Sequence, residues 1–228
     1  MCSSDLIGYL PDIPEFYPFM TPIEYLNLCG ESLDMDKKQI RSRSEELLRL
    51  VGLWEEKQRI KGFSRGMKQR LGIAQALLGS PKLLICDEPT SALDPIGRKE
   101  ILDILSSVKQ DTTVLFSTHI LSDVERICTD VAFLHNGIIA MEGTVSDLKK
   151  MNRHEEFLVE TTYPQHCQLL KQRFESAQEI QKDTLRFCGG NDLMRAVMAY
   201  IAEQNLEISR IERLEQSLES LFMEVVAQ

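Results

Sequence analysis

The sequence, 228 residues long, has no glycine followed by lysine and therefore no GxxxxGK[ST] loop, the motif whose backbone cradles phosphates. It has no apolar run near the roughly 18 residues that a membrane-spanning helix needs, and Asp5 and Pro11 interrupt any signal peptide. None of the six cysteines forms a CxxC pair, which favours reduced thiols over disulfides or a zinc site. We expect a soluble cytoplasmic protein that reaches a membrane only through a partner.

A surplus of positive charge is also missing. The net charge is -9, whereas a surface that binds a nucleic acid duplex needs clustered lysine and arginine, so we expect no nucleic acid partner. The apolar fraction of 43% is sufficient for a hydrophobic core. A change of pattern near Lys150 divides the chain into two predicted domains, 1–148 and 149–228.

Two apolar segments predict neighbouring strands of a parallel sheet. Leu83–Asp87 and Thr112–Ser117 are apolar or β-branched, and the segment between them has its apolar residues at helical spacing. A strand, a helix and a strand of these lengths form a βαβ crossover, which makes the two strands parallel. Leu6–Leu10, closed by Pro11, is a further strand candidate. The front half is thus predicted to be an α/β domain.

Residues from about 20 to 80 predict helices that interrupt this alternation of strands and helices. Thr21 and Glu24 can form a capping box at the start of the first helix. A second helix is predicted from about 35 to 51, and Ser64 is a suitable N-cap for a third. We interpret this segment as a helical subdomain inserted into the α/β domain.

The second strand runs directly into two adjacent carboxylates, Asp87 and Glu88. A buried parallel strand that ends in acidic residues brings them to the carboxyl edge of the sheet, where α/β proteins bind ligands. One carboxylate is suited to hold Mg²⁺, and the other is suited to orient or deprotonate a water. These two tasks are what nucleotide hydrolysis requires.

The segment from Phe63 to Pro95 resembles the ATP-binding subunits of ABC transporters. Ser64–Gln69, with the sequence SRGMKQ, stands where that family has its LSGGQ signature. Arg65 replaces the first glycine of the pattern, and similar forms occur in exporters whose permease is a separate chain.

Three further features agree with this resemblance, which extends over about residues 7–144. Leu83–Glu88 matches the Walker B strand with its catalytic glutamate, and Ser91–Asp94 matches the D-loop. His119 stands where the family has its switch histidine, just past the end of the next strand. The resemblance implies a parallel sheet of the P-loop NTPase type.

The resemblance also implies ATP and Mg²⁺ as cofactors and gives each matching residue a role. Asp87 would hold Mg²⁺ through its water shell, Glu88 would activate the attacking water, and His119 would donate a hydrogen bond to the γ-phosphate. Each residue has a plainer interpretation as well. These are a salt-bridged surface aspartate, a helix-capping carboxylate and a structural histidine at a strand end.

In the resembling family, the signature helix of one subunit faces the nucleotide held by the other, which implies a head-to-tail homodimer or heterodimer. Ser64 and Gly66 open a helix whose free N–H groups and positive dipole end suit an anion. Arg65 either adds positive charge to this site or is simply solvated. Asp94 would link the two sites across the dimer, although an aspartate before Pro95 also forms a turn without any further role.

Asp12 occupies the place where the family usually has the glutamine of its Q-loop. A carboxylate cannot donate a hydrogen bond as the amide does, but it can reach a metal-bound water. The resemblance also implies that the segment from Pro11 to Thr21 contacts a separate membrane permease subunit. The aromatic residues of this region suit such an interface, and simple core packing explains them equally well.

In the resembling family the phosphate loop precedes the strand at residues 7–10, and Met1 comes too late for it here. We therefore expect an N-terminally truncated ATPase, from a shortened gene product or a start codon assigned too far downstream. The backbone cradle, the phosphate lysine and the Ser/Thr that holds Mg²⁺ supply most of the grip on a triphosphate. We expect this chain alone to bind ATP negligibly.

From about Lys150 the predicted elements follow the order strand, helix, strand, strand, helix, strand, with a last helix after them. The order βαββαβ is that of a ferredoxin-like α+β fold, which we predict for residues 149–228. The sequence does not indicate what this accessory domain does.

We predict an ATP-hydrolysing subunit of an ABC exporter, held at the inner face of the cell membrane by its permease. An alternative is a non-catalytic partner that lends Ser64–Gly66 to the nucleotide of an intact subunit. The ABC-like ATPases of DNA repair and translation form a third class, but the long coiled-coil insertions or basic linkers that mark them are absent from the sequence. The permease selects the substrate, so the sequence does not identify it.

Overall fold

The structure is a computed structural model that describes residues 6–151, 156–214 and 217–226. It divides into two compact units, residues 1–127 and 128–228. The sequence predicts a boundary between residues 148 and 149. In the structure, residues 128–148 belong to the second unit. The boundary at 148 stays a prediction.

The first unit is built on a three-stranded parallel sheet with the order β1-β2-β3. Its strands are β1 (Ile7–Leu10), β2 (Leu83–Asp87) and β3 (Thr113–Ser117). The crossover from β2 to β3 is helix α4 (Pro95–Val108), and α5 (Leu121–Ile127) follows β3. The predicted α/β unit with a parallel sheet is confirmed, and its strand ends place Asp87 beside Ser117.

The segment between β1 and β2 is helical, as predicted. It consists of α1 (Pro22–Ser32), α2 (Lys37–Leu50), a 3₁₀ turn (Ile60–Gly62) and α3 (Arg65–Ala76). Thr21 is the N-cap of α1, and its backbone N–H donates a hydrogen bond of 2.8 Å to Glu24 Oε2. This bond is the reciprocal half of the predicted capping box.

Helix α3 lies close against β1, and two glycines allow the approach. A Cβ on Gly8 would lie 2.2 Å from the Ala76 carbonyl oxygen, and a Cβ on Gly72 would lie 2.6 Å from Leu10 Cδ1. The buried apolar residues of this unit include Leu10, Leu26, Leu47, Leu71, Leu84, Ile101 and Leu105. The close packing holds α3 against the strand that leads to Asp12.

The opposite face of this sheet is apolar and exposed within the described residues. Tyr9, Ile85 and Leu115 form one row across the three strands by register. Tyr9 is 56% exposed, Leu115 is 58% exposed and Ile7 is 51% exposed. The helices therefore bury only one face of the sheet.

The second unit begins with a hairpin and a helix, which are β4 (Asp130–His135), β5 (Ile138–Thr144) and α6 (Val145–Met151). Asn136 and Gly137 form the two-residue turn of the hairpin, with φ values of 50° and 79°. Two consecutive positive φ values are typical of a type I′ turn, for which Asn-Gly is the favoured sequence. The predicted hairpin is confirmed.

The rest of the second unit contains a four-stranded antiparallel sheet with the order β7-β8-β6-β9. The elements are β6 (Glu156–Thr161), α7 (Pro164–Arg173), β7 (Ala177–Gln181), β8 (Thr184–Cys188), α8 (Asn191–Glu203), β9 (Ile208–Leu214) and α9 (Leu218–Val226). The core contains Phe157 and Phe187, whose stacked rings have centroids 4.9 Å apart. From β6 to β9 the elements follow the predicted order βαββαβ.

The longest helices described, α2 and α4, have 14 residues each. Within the described ranges, no helix combines the length and the apolar character that crossing a bilayer requires.

Candidate functional site

Asp87 and Ser117 lie side by side at the carboxyl edge of the parallel sheet. They end β2 and β3 and are paired in the sheet register. The Ser117 hydroxyl donates a hydrogen bond of 2.6 Å to Asp87 Oδ1. Both residues are exposed, so the Asp87 carboxylate is accessible at the edge where parallel α/β sheets bind ligands.

Glu88 leaves strand β2 in an uncommon backbone conformation. Its φ is 45°, in the left-handed region that a glutamate adopts rarely. Its backbone N–H donates to the carbonyl oxygen and to the hydroxyl oxygen of Ser117, each over 3.2 Å. Such a conformation costs about 1–3 kcal/mol, and it persists where the surrounding contacts hold it. The turn gives the adjacent carboxylates of Asp87 and Glu88 different partners.

The Glu88 carboxylate pairs with His119. His119 Nδ1 lies 3.0 Å from both Glu88 Oε1 and Glu88 Oε2. The His119 side chain is 70% exposed, whereas that of Glu88 is 27% exposed. An ionised carboxylate can only accept a hydrogen bond, so Nδ1–H is the donor in this contact when Glu88 is ionised. The structure therefore brings together three predicted site residues, Asp87, Glu88 and His119, while their catalytic roles stay predictions.

The carboxyl edge offers oxygen ligands that suit Mg²⁺. In nucleotide sites this ion is bound by one or two carboxylates together with waters and phosphates. Asp87 supplies an exposed carboxylate, and the Ser117 hydroxyl lies beside it. Among the described residues, no three His, Cys, Asp or Glu side chains cluster as a complete metal site. The exposed Asp87 carboxylate is thus the described group whose chemistry fits Mg²⁺ at this edge.

Ser64 caps helix α3 and leaves its first turn accessible. The Ser64 hydroxyl oxygen accepts a hydrogen bond of 3.2 Å from the Met67 backbone N–H. A Cβ on Gly66 would meet its nearest atom, in the Leu93 side chain, at 3.9 Å. The first turn thus combines N–H groups, a positive dipole end and open space.

Arg65 pairs with Asp12 of the same chain. Arg65 Nη2 lies 2.9 Å from Asp12 Oδ1, and each side chain is 40% exposed. Arg65 is therefore not simply solvated, and its charge is not free for a ligand in this conformation. The Asp12 carboxylate pairs through Oδ1, and its reach to a metal-bound water stays a prediction.

Gln69 connects α3 to the residues that follow β1 and β2. It is fully buried, and its Nε2 donates a hydrogen bond of 3.0 Å to the Asp12 carbonyl oxygen. The same nitrogen lies 3.5 Å from the Pro89 carbonyl oxygen. Sequence reasoning missed Gln69, because its partners are backbone atoms that no sequence pattern identifies.

Asp94 is the N-cap of helix α4. Its Oδ1 accepts a hydrogen bond of 3.1 Å from the Gly97 backbone N–H. This local role is close to the simpler interpretation from the sequence, in which Asp94 forms a turn before Pro95 and has no further role. Asp94 is also exposed, so a cap does not prevent a contact with a second subunit.

The buried carboxylate of Asp123 links the Glu88 segment to the His119 segment. Asp123 has a side chain that is 1% exposed. It accepts hydrogen bonds from the Thr90 hydroxyl over 2.7 Å and from Arg98 Nε over 2.6 Å. Sequence reasoning missed this network, because Asp123 is one of several polar residues in a short helix and nothing in the sequence distinguishes it.

The aromatic residues after Asp12 divide between core and surface. Tyr25 is buried and packs edge-to-face against Phe16 at 5.1 Å between ring centroids. Tyr17 and Phe19 are 52% and 59% exposed. Core packing therefore explains Tyr25, and an interface remains an interpretation for the two exposed rings.

A groove of about 470 Å³ lies beside the Asp12–Arg65 pair. Its lining includes the apolar side chains of Phe16 and Ile60, the cationic side chains of Lys61 and Lys68 and the anionic side chain of Glu15. The groove thus combines apolar contact area with charges of both signs.

Comparison with known proteins finds relatives along most of the chain. Residues 3–91 match the family model described as ABC transporter. The chain is 38% identical over 224 residues to YxlF of Bacillus subtilis, an uncharacterized ABC transporter ATP-binding protein, in an alignment that covers 97% of this chain and 76% of that protein. It is 34% identical over 226 residues to the bacitracin transport ATP-binding protein BcrA of Bacillus licheniformis, covering 96% of this chain and 72% of that protein.

A solved structure also matches part of the chain. It is a dimeric, post-hydrolysis state of the ATP-binding cassette MJ0796 bound to ADP and Pi, with a TM-score of 0.53 and 26% sequence identity. The match covers 61% of this chain and 62% of that chain, so this chain spans less than two thirds of the matched molecule.

Proposed function

We propose that this chain, which belongs to the ABC transporter ATP-binding proteins, hydrolyses ATP and couples hydrolysis to export through a separate membrane permease. The family follows from identities of 38% and 34% over most of the length of two of its members. The observation that carries the proposed hydrolysis is the contact of 3.0 Å between Glu88 and His119, beside Asp87 at the carboxyl edge of the sheet.

In the proposed reaction Glu88 orients a water for in-line attack on the γ-phosphate and accepts its proton. The role of His119 depends on its protonation. A neutral imidazole has one N–H donor, and the contact with Glu88 uses that donor when the hydrogen is on Nδ1. His119 therefore donates to the γ-phosphate through Nε2 when both ring nitrogens are protonated, or through a single N–H after it has left Glu88.

Asp87 is the residue proposed to hold Mg²⁺ through its water shell, and the Ser117 hydroxyl orients its carboxylate. Bound with the nucleotide, the ion would neutralise charge that develops on the β- and γ-phosphates.

We further propose that the first turn of α3 meets the nucleotide of a second subunit, in a head-to-tail homodimer or heterodimer. The cap at Ser64 and the open approach at Gly66 support this assignment. The dimeric state of MJ0796 in its complex with ADP and Pi supports it as well. Asp94, exposed while it caps α4, is the residue proposed to connect the two sites across the dimer.

The proposed permease contact is the groove beside Asp12 and Arg65, together with the exposed Tyr17 and Phe19. Apolar and aromatic surface with interspersed charges of both signs suits a protein interface. Binding there would keep the chain at the inner face of the membrane. We assign the ferredoxin-like fold to the four-stranded part of the second unit, on the strength of its element order and strand order.

The test of hydrolysis supplies the chain in cis with a GxxxxGK[ST] segment from a relative and measures phosphate release from ATP and Mg²⁺. Glu88→Gln should retain nucleotide binding and lower turnover about 100-fold or more, as loss of a general base does. Glu142→Gln, at an exposed position of β5, is the matched control and should leave turnover unchanged. Equal turnover in the Glu88 variant and the control would remove Glu88 from the mechanism.

The alternative function is a non-catalytic partner that lends its signature turn to an intact subunit. Two observations favour this alternative. The first turn of α3 is accessible, and the sequence contains no GxxxxGK[ST] motif. The test mixes this chain with an intact relative whose own signature serine has been replaced. Restored hydrolysis that is lost with Ser64→Arg and kept with Glu88→Gln supports the partner role. A mixture that stays inactive contradicts it.

A further inference from the structure

Helix α3 carries one polar side chain that lies entirely inside the protein, Gln69. A buried amide needs hydrogen-bond partners, and here they come from two different loops. Nε2 lies 3.0 Å from the Asp12 carbonyl oxygen and 3.5 Å from the Pro89 carbonyl oxygen. Pro89 directly follows Glu88, so Gln69 contacts the backbone beside the proposed catalytic carboxylate.

A second buried group holds the same segment from another helix. The Thr90 hydroxyl donates a hydrogen bond of 2.7 Å to Asp123, whose other oxygen accepts from Arg98 Nε over 2.6 Å. Thr90 is separated from Glu88 only by Pro89. The two residues after Glu88 are thus held by Gln69 of α3 and by Asp123 of α5.

Glu88 requires such support because its backbone has a φ of 45°. A glutamate in the left-handed region persists only where neighbouring contacts determine its conformation. On the amino side of Glu88, its backbone N–H donates a hydrogen bond to Ser117. On its carboxyl side, the contacts of Pro89 with Gln69 and of Thr90 with Asp123 restrain the backbone. The direction of the Glu88 side chain follows from this backbone conformation.

We propose that Gln69 and Asp123 are positioning residues that hold the Glu88 carboxylate against His119, and that Gln69 makes this placement depend on the position of helix α3. The inference rests on the proposed function, in which the first turn of α3 meets a nucleotide of a second subunit. A displacement of α3 moves the Gln69 amide relative to the Pro89 carbonyl. Engagement by the second subunit would thereby reach Glu88 through a single side chain.

The hydrogen-bonding state of Gln69 agrees with a positioning role. Its Oε1 is buried without a hydrogen-bond partner among the described residues. An unsatisfied buried acceptor disfavours folding. A leucine of similar size would avoid that cost, but it would leave the carbonyl oxygens of Asp12 and Pro89 without the Gln69 donor. The amide of Gln69 therefore contributes its N–H contacts rather than core packing.

The test uses the whole 228-residue chain without nucleotide, so its outcome does not depend on hydrolysis. In NMR spectra of isotopically labelled protein, the contact between the His119 ring and the Glu88 side chain gives a cross-peak. We expect Gln69→Leu to reduce this cross-peak at least twofold and to shift the amide signals of Glu88 and Thr90. Circular dichroism and melting temperature check that the variant is folded.

Gln75→Leu is the matched control on the same helix. Gln75 Oε1 accepts a hydrogen bond of 3.1 Å from the Tyr25 hydroxyl and has no contact with the Glu88 segment in the described hydrogen bonds. We expect its cross-peak between Glu88 and His119 to keep the wild-type intensity. An equal loss in the Gln75 and Gln69 variants would overturn the proposal, because it would reflect a general disturbance of α3.

Thr90→Val tests the same restraint from α5, since it removes the hydroxyl donor to Asp123 with little change in size. The expected result is the same loss of the cross-peak between Glu88 and His119. If Gln69→Leu does not fold, the cross-peak of the Thr90→Val variant tests the proposal in its place. Folded variants with an unchanged cross-peak would overturn the proposal. By contrast, altered spectra together with unchanged turnover of Glu88→Gln would overturn the proposed function and leave the positioning intact.

Discussion

Arg65 at the start of α3 forms an ion pair with Asp12 after β1, with Nη2 2.9 Å from Oδ1. Both residues depart from the usual pattern of the family, which has a glycine in place of Arg65 and a glutamine in place of Asp12. The two side chains have opposite charges and pair with each other in this structure. Together with the bond from Gln69 to the Asp12 carbonyl oxygen, the pair connects α3 to the end of β1.

The Arg65–Asp12 pair should contribute little to stability. Because both side chains are 40% exposed, we expect a coupling energy of about 0.2–1 kcal/mol in a double-mutant cycle with Arg65→Ala and Asp12→Ala. Urea unfolding measures it. The coupling should shrink in 1 M salt, where the Debye length falls to about 3 Å. A coupling that is unaffected by salt would contradict an exposed ion pair.

Removal of the buried Asp123 carboxylate should be far more costly. Asp123→Ala removes the acceptor of Arg98 Nε and of the Thr90 hydroxyl, while Arg98 Nη2 keeps Ser122, and we expect a loss of about 3 kcal/mol in the free energy of unfolding. Asp103→Ala is the matched control. Asp103 pairs with Arg126 at 2.8 Å but is 56% exposed, so its loss should cost under about 1 kcal/mol. Similar losses for the two variants in urea unfolding would show that burial does not set the difference.

Two glycines of α3 should respond oppositely to alanine. Gly72→Ala places a Cβ 2.6 Å from Leu10 Cδ1 and 3.3 Å from Pro14, so overpacking should lower the free energy of unfolding by about 1–3 kcal/mol. Gly66→Ala meets nothing closer than 3.9 Å, and the higher helix propensity of alanine should make it neutral or stabilising by up to about 1 kcal/mol. Thermal unfolding of both variants checks the signs.

The Gly66 variant also separates fold from function. A stable Gly66→Ala protein that no longer supports hydrolysis in the mixture with an intact relative would indicate that the open space above the first turn is needed for the nucleotide. Full activity of this variant would argue against a close approach of the nucleotide at Gly66.

Local chemistry explains why much of the fold could be predicted. Asn136-Gly137 predicts its turn because few other pairs adopt two positive φ values, and the apolar run that ends at Asp87 predicts a parallel strand with an acidic end. The prediction that this strand is buried holds for one of its two faces only. The networks around Gln69 and Asp123 could not be predicted. Gln69 bonds a carbonyl oxygen 57 residues away, and Asp123 bonds a hydroxyl 33 residues away, so only tertiary packing brings these partners together.

The thiol of Cys86 should make stability decrease at alkaline pH. Cys86 is 1% exposed in β2, and burial raises the pKa of its thiol from 9.0 to about 12. The unfolded chain releases this proton near pH 9 and the native protein retains it up to about pH 12, so the unfolded state gains stability over that range. The contribution of Cys86 should reduce the free energy of unfolding by about 1.4 kcal/mol per pH unit between these two values.

The difference between the wild-type protein and Cys86→Ala isolates this effect, because tyrosines and lysines that titrate in the same range are common to both. Urea unfolding at pH 8 to 11 should show a flatter pH dependence in the variant. Cys188→Ala is the control at an exposed position, and it should retain most of the wild-type slope. Parallel curves for the wild type and Cys86→Ala would mean that the thiol ionises in the native protein. Strand β2 would then admit water one residue before Asp87, at the edge where the proposed site requires a firmly held strand.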